Sequence, residues 1–167
     1  MERGLALYPY DTLMRRAITN FKYSGELAVG DYFAEEMLRE CGGWIRQIAP
    51  EVIVPVPIHK NRMRFRGFNQ AAYMAEKIGR RLGIEVLTDY LVRTGDTKPQ
   101  KELDVMSRRI NLQKGFGVKD VSRRYRRVLL FDDIYTTGAT LEACGKALKD
   151  VGTDRIYFLC LCIGRGD

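Results

Sequence analysis

Three runs of mainly apolar, often branched residues divide the chain. They are EVIVPVP at 51–57, RVLLFDD at 127–133 and RIYFLCLCI at 155–163. Nearly continuous apolar residues over such short lengths are typical of strands buried on both faces of a sheet. Two shorter segments, IEVL at 84–87 and YLVR at 90–93, are weaker strand candidates.

Helical spacing of apolar residues marks the segments between these strands. Asp11 is a candidate N-cap for the first helix, Gly83 supplies a stop for the third, and the Gly42–Gly43 pair is a possible interruption of the second. The predicted helical segments are 11–25, 27–48, 67–83 and 138–152. A basic loop is expected between the strand at 51–57 and the third helix.

Strands that alternate with helices predict an α/β fold with a mainly parallel central sheet and helices on both faces. A chain of 167 residues suits one domain, residues 1–167. Ligands of such sheets bind beyond the carboxyl ends of the strands, where PVPIHK and DDIYTTGAT must both lie. The long polar stretch near 94–114 has no sustained apolar face and is typical of a functional lid or a disordered loop.

The composition is that of an ordinary soluble protein, with 46% apolar and 29% charged residues. No apolar run approaches the roughly 18–20 residues that span a bilayer, and the first residues do not resemble a secretory signal. We therefore expect a cytoplasmic protein with no membrane partner. The four cysteines show no paired zinc pattern and are expected to be reduced, mostly buried thiols.

The net charge is +7, and the basic residues are concentrated in short runs. These runs are HKNRMRFRG, EKIGRRLG, MSRRINLQK and SRRYRR. A polyphosphate small molecule and a nucleic acid are both plausible partners of such a surface. The plainer alternative, a solvated surface that keeps the protein soluble, stays open for any single run.

The segment VLLFDDIYTTGAT at 128–140 joins a buried strand to a helix through a loop rich in Thr and Gly. Backbone N–H groups at a helix start lack intrahelical partners, and Gly138 permits unusual φ values. With the positive helix end and the hydroxyls of Thr136, Thr137 and Thr140, they form a cradle for a phosphomonoester.

Two adjacent carboxylates, Asp132 and Asp133, precede this cradle and would repel the phosphate itself. They can accept hydrogen bonds from vicinal hydroxyls or hold a metal ion. A ribose 5-phosphate presents both a phosphate and a diol, so we predict a ribose-phosphate clamp. The alternative is that the acids merely solvate the sheet edge. A P-loop ATPase is excluded, because no G-x-x-x-x-G-K-[ST] motif is present.

The same thirteen residues resemble the signature of type I phosphoribosyltransferases, which bind phosphoribosyl pyrophosphate (PRPP). More of the chain, about 8–163, resembles the ComF family of competence-associated proteins on that fold. The segments that carry this resemblance are VPVPIHKNRMRFRGFNQAAYMAEKIG, RTGDTKPQKELDVMSRRINLQKGF and the PRPP motif, in that order. Many members of the family have an N-terminal four-cysteine zinc module, which we expect this chain to lack.

The resemblance implies a role for each matching residue. The ribose hydroxyls would be held by Asp132 and Asp133. The 5-phosphate would be held by Thr136, Thr137, Gly138, Ala139 and Thr140. The pyrophosphate side would comprise Pro57, Ile58, His59, Lys60, Arg66 and Arg108. Segment 94–114 would be the flexible hood loop, and Mg²⁺ would arrive with PRPP, near Asp132 and Asp133 but with no cage of protein ligands. The lone His59 is interpreted as a loop or helix-capping residue and not as a general base.

Two functions from different classes stay open. One is a phosphoribosyltransferase in which an unknown acceptor displaces pyrophosphate from ribose C1. Phosphoribosyltransferases that act on 6-oxopurines commonly have Asp at the position of Thr136, so the resemblance disfavours a role in purine salvage. The other is a non-catalytic nucleic-acid-binding protein for DNA uptake, with Phe65, Phe68 or Tyr125 stacking on a single strand. Its partners would be single-stranded DNA or competence proteins, and a homodimer is a further expectation.

Overall fold

The computed structural model describes residues 2–93 and 115–164. The predicted hood loop and Arg108 lie outside the described residues. The elements, in chain order, are β1 (Gly4–Pro9), α1 (Thr12–Tyr23), α2 (Leu27–Ile48), β2 (Val52–Pro55), α3 (Lys60–Arg66), α4 (Gln70–Leu82), β3 (Glu85–Val86), β4 (Leu91–Arg93), β5 (Phe116–Val118), β6 (Arg127–Tyr135), α5 (Ala139–Asp150) and β7 (Arg155–Ile163).

Five strands form a parallel sheet in the order β1-β7-β6-β2-β3, and β4 and β5 form a separate antiparallel pair. The two strongest apolar runs of the sequence, β2 and β6, lie side by side, with Val54 opposite Leu130. The expected mainly parallel sheet with helices on both faces is therefore confirmed.

The two faces of the sheet are covered by different elements. Helices α1, α2 and α4 pack on one face, where Leu129 of β6 is buried. Helix α5 and the β4–β5 pair cover the other face, where Leu130 is buried. Because successive side chains of a strand point to opposite faces, Asp132 and Asp133 at the end of β6 are directed to different layers of the protein.

Helix α2 runs without a break from Leu27 to Ile48, so the interruption considered at Gly42–Gly43 is wrong. Each interior glycine costs roughly 1 kcal/mol relative to alanine. Burial of Cys41 and Ile45, on either side of the pair, against the sheet outweighs this cost.

Three elements were not predicted from the sequence. Strand β1 is a half-buried edge strand that pairs only with β7, and β5 has three residues. The expected basic loop contains a helix, α3, which buries none of its residues and therefore has no apolar periodicity to reveal it. Its ends do follow local rules, because His59 caps the start and Gly67 adopts a left-handed conformation at the end.

The four cysteines are all unpaired and buried, as expected. Burial, with a smaller contribution from the charge of Asp133, raises the pKa of the Cys162 thiol to about 12. Across the described residues, every helix is too short or too polar to cross a membrane.

Candidate functional site

The strand order reverses between β2 and β6. From β2 the chain crosses to β3 on one side of the sheet, whereas from β6 it crosses to β7 on the other side. A crevice therefore opens beyond the carboxyl ends of these two neighbouring strands. The backbone N–H of Val56 donates to the carbonyl of Phe131 (2.8 Å), which fixes the loop after β2 beside the acid pair.

The acid pair, Asp132 and Asp133, is half-buried and belongs to β6, which continues to Tyr135 by pairing with Ile163 of β7. The backbone N–H of Asp133 donates to Oδ1 of Asp132 (2.9 Å). Burial, followed by the adjacent charge of Asp133, raises the pKa of Asp132 well above its ordinary value. The fold thus retains two neighbouring carboxylates at an electrostatic cost, which is common at functional sites.

Asp133 forms an ion pair with Lys22 in the last turn of α1. Both side chains are largely shielded from solvent, with 16% and 18% of their surface exposed. Lys22 could not be recognised as a site residue from the sequence, because the two residues are 111 positions apart and only the packing of α1 on the sheet brings them together.

The loop between β6 and α5 has the geometry of an anion cradle. Gly138 precedes α5 with a φ of 79° and, as the N-cap residue, makes no side-chain hydrogen bond to the helix. A Cβ at Gly138 would lie 2.6 Å from Oη of Tyr135, whose ring stacks on Phe158 with centroids 5.5 Å apart. The residues of the loop that are exposed to solvent are Thr136, Thr137, Ala139 and Thr140. The N–H of Ala139 donates to Oγ1 of Thr137 at the long distance of 3.4 Å, and Gly138 supplies no cap for the other first-turn N–H groups of α5.

The loop on the opposite side of the crevice, residues 57–59, is half-buried. Nδ1 of His59 accepts a hydrogen bond from the backbone N–H of Asn61 (3.2 Å), which agrees with the expected capping role. Lys60, the first residue of α3, directly follows this loop and is exposed to solvent.

Arg66 lies at the other end of α3, away from the start of the loop. Its guanidinium donates to Oη of Tyr23 and to Oε1 of Gln70, both at 3.1 Å, and lies 5.0 Å from the centre of the Tyr23 ring. The structure thus places Arg66 against α1 and α4, where it fixes the position of α3.

Asn69 is a positioning residue whose role was not predicted from the sequence. Its Oδ1 accepts from the backbone N–H groups of Ala71 (3.0 Å) and Ala72 (3.4 Å) and so caps α4. Its Nδ2 donates to the carbonyl of Val56 (2.9 Å). One buried amide therefore ties the loop after β2 to a rigid helix. An Asn directly before a helical apolar pattern was the available signal.

The residues present do not form a protein cage for a metal ion. Within the described ranges, no group of three or more His, Cys, Asp or Glu side chains could hold one. The acid pair offers the carboxylate of Asp132, since that of Asp133 is already paired with Lys22. This donor set fits Mg²⁺ only as an ion that is shared with the oxygens of a bound polyphosphate.

No protein-family model matches the chain. It is 39% identical over 110 residues to "Competence protein F" of Haemophilus influenzae, covering 64% of this chain and 48% of that protein. It is 28% identical over 155 residues to "Competence protein ComFC" of Bacillus subtilis, covering 91% and 60%. It is 30% identical over 113 residues to "DNA utilization protein YhgH" of Escherichia coli O157:H7, covering 68% and 49%. The chain thus spans about half to three fifths of the length of these curated relatives.

A purine phosphoribosyltransferase from Pyrococcus horikoshii has a similar solved structure. The TM-score is 0.50 at 15% sequence identity, and the match covers 81% of this chain and 84% of that one. At this identity the likeness concerns the fold, and it confirms the architecture predicted from the sequence.

Proposed function

Because the chain is a homologue of the ComF and ComFC competence proteins and has the phosphoribosyltransferase fold, we propose that it binds a ribose 5-phosphate, with PRPP as the foremost ligand. One observation carries the proposal. A half-buried acid pair on β6 and the start of α5, whose N-cap is Gly138, flank the crevice at the reversal of strand order.

The two halves of this site suit the two halves of the ligand. The 5-phosphate accepts hydrogen bonds from the N-terminal N–H groups of α5 and from the hydroxyls of Thr137 and Thr140. Each such charge-assisted bond contributes about 1.5–3 kcal/mol, so a few of them hold a phosphate without a lysine. Asp132, on the α5 side of β6, accepts hydrogen bonds from the sugar hydroxyls. Asp133 would complete the acceptor pair from the α1 side through Oδ1, since its Oδ2 is the oxygen paired with Lys22.

The pyrophosphate of PRPP would lie against residues 57–59, where Lys60 supplies positive charge. Mg²⁺, when bound with the ligand, neutralises phosphate oxygens there. If the protein is an enzyme, a nucleophile displaces pyrophosphate from ribose C1, and negative charge builds on the leaving group. The residues on the loop after β2 would then stabilise that charge, and the rigid Asn69 contact would keep them in place.

Titration calorimetry with PRPP in the presence of Mg²⁺ tests the binding proposal. We expect a saturable heat with the wild-type protein and at least a tenfold loss of affinity in the D132N/D133N variant, because two hydrogen-bond acceptors lose their charge. The matched control is E35Q/E85Q, which neutralises two exposed acids that pair with Arg81 and Arg123. Absence of any PRPP heat from the wild type at millimolar ligand would refute the proposal.

Catalysis is a separate claim with a separate assay. Pyrophosphate release from PRPP, measured across a panel of nucleobases and amines, would identify the acceptor. Binding of PRPP without release in the whole panel would favour a binding module over an enzyme.

A second candidate function, handling of single-stranded nucleic acid, is favoured by the surface of α3. Phe65 is 78% exposed and Tyr23 is 58% exposed, with their ring centroids 6.0 Å apart. Four of the seven residues of α3 are cationic and none is acidic. Exposed aromatic rings among cations are typical of single-strand binding surfaces, and relatives are named for competence and DNA utilization.

Of the other aromatic residues considered for stacking, Phe68 packs against the core and Tyr125 packs against Tyr90. Fluorescence anisotropy with a labelled oligonucleotide would test the α3 surface. Binding should weaken with salt, by a slope near −0.7 per neutralised phosphate, and should weaken further in F65A. A salt-independent signal, or an unaffected F65A variant, would count against this function.

A further inference from the structure

We propose that Lys22 is a positioning residue of the acid pair, which makes the crevice selective for sugar hydroxyls over a free divalent cation. Its ammonium holds the carboxylate of Asp133 on the α1 side of β6 and neutralises one of two adjacent negative charges. This inference rests on the proposed ribose-phosphate function, and it concerns a residue that lies far from the PRPP-like motif in the sequence.

The contact is held on both sides by rigid structure. Lys22 follows Phe21, which is 1% exposed and packs among the side chains beneath α1. It precedes Tyr23, whose hydroxyl accepts from Arg66. Because the side chains of Lys22 and Asp133 are themselves only 16% and 18% exposed, the surrounding side chains leave the ammonium little freedom to move away from Asp133. The side chain therefore acts as a built-in counter-ion of the site and not as a mobile surface lysine.

The charge of the pair decides what it attracts. Two ionised carboxylates at adjacent positions would attract a divalent cation, which must give up water to bind and needs strong negative charge in return. With Lys22 in contact with Asp133, the pair carries one negative charge less than it would without its counter-ion. Hydroxyl groups need only oxygen acceptors and no such excess charge. Lys22 thus shifts the preference of the site toward a diol.

A purely structural role for Lys22 would be to tie α1 to the sheet. Both roles predict a loss of stability when the ammonium is removed, because Asp133 is left without its partner. Only the positioning role predicts opposite changes in affinity for two ligands. The affinity for ribose 5-phosphate should fall, while the affinity for a free divalent cation should rise.

The experiment compares wild type with K22M, which keeps the apolar stem, and with K22R, which keeps the charge. K77M is the matched control, since Lys77 forms a Lys–Asp ion pair with Asp31 away from the crevice. Ribose 5-phosphate binding is measured by calorimetry, and binding of Mn²⁺ alone by the loss of its free-ion paramagnetic resonance signal. We expect K22M to bind ribose 5-phosphate about tenfold more weakly, the equivalent of one charge-assisted hydrogen bond, and Mn²⁺ more tightly than wild type. K22R and K77M should resemble wild type in both.

Failures of the two proposals are distinguishable. If wild type binds ribose 5-phosphate and K22M is unchanged toward both ligands, the role of Lys22 is refuted and the clamp stands. If wild type does not bind the sugar phosphate, the clamp is refuted, and a tighter Mn²⁺ site in K22M alone would still support the effect of Lys22 on charge.

A measurement on the wild-type protein covers the case in which K22M fails to fold. Lys22 and the exposed Lys60 are compared for their rates of acetylation, read by mass spectrometry with and without saturating ribose 5-phosphate. Lys22 should react slowly in both conditions, because its ammonium stays on Asp133 while the sugar is bound. A Lys22 that reacts as fast as Lys60, or that becomes reactive when the ligand binds, would overturn the proposal.

Discussion

Replacing Gly138 with Ala should damage both the stability of the fold and the anion cradle. Gly138 has a φ of 79°, a conformation that costs a residue with a Cβ about 1–2 kcal/mol. The new Cβ would also lie 2.6 Å from Oη of Tyr135, whose ring is stacked on Phe158. Displacing that ring from its rotamer adds about 0.5–1.5 kcal/mol. The expected loss of unfolding free energy is therefore about 1.5–3.5 kcal/mol.

Gly67 provides a matched control because its φ is also 79° but nothing lies within 4 Å of the position of its Cβ. G67A should lose only the backbone contribution, about 1–2 kcal/mol. Urea unfolding followed by circular dichroism gives both values. G138A should also bind ribose 5-phosphate about tenfold more weakly, since the first N–H groups of α5 are redirected. Equal stability losses in the two variants, or unchanged ligand affinity in G138A, would refute this account of the loop.

Two further predictions concern residues that shape the crevice. N69A should lose about 2–4 kcal/mol, because the cap of α4 disappears and the carbonyl of Val56 loses its donor; N69D, which can still cap, should lose less in urea unfolding. For Asp132, the raised pKa means that the folded state binds its proton more tightly than the unfolded state, so stability falls as pH rises from about 4 through the raised pKa. D132N removes this loss, and its melting temperature should equal or exceed that of wild type at pH 7, with the advantage vanishing below pH 4. A D132N variant that is less stable than wild type at every pH would contradict the conclusion that the pKa of Asp132 is raised in the folded state.

Much of the architecture could be predicted from the sequence because burial leaves a direct trace in it. Strands β2 and β6 are apolar on both faces, and their order along the chain was enough to predict a parallel sheet and a crevice at the ends of both. Strand β1, half-buried at the edge of the sheet, was missed although Leu5–Tyr8 is an apolar run, because that run is short and contains no β-branched residue. Helix α3 was missed because it contributes nothing to the core.

Some features of the candidate site could likewise be predicted from the sequence and others could not. The unusual φ of Gly138 could be predicted because the local backbone geometry is determined by neighbouring residues in sequence. The partner of Asp133 could not, since Lys22 reaches it only through the packing of α1 on the sheet. The alternation of side chains along β6 also could not be assigned to particular layers before the packing was known. This alternation directs Asp132 and Asp133, which are adjacent in the sequence, to opposite faces of the sheet.

The acid pair also limits how the two proposed ligands can be accommodated. A nucleotide inside a strand has a further phosphodiester on its 3′ oxygen, and in the clamp that negative charge would lie against Asp132 and Asp133. A strand is therefore expected to bind along α3, at Phe65 and its neighbouring cations, and to stay outside the crevice. Saturating ribose 5-phosphate should then leave oligonucleotide affinity within about twofold in an anisotropy titration, because no contact is shared and the ligand adds only a screened charge nearby. Full displacement of the oligonucleotide by the sugar phosphate would show instead that both ligands use one anion cradle, and that the acid pair does not exclude a strand.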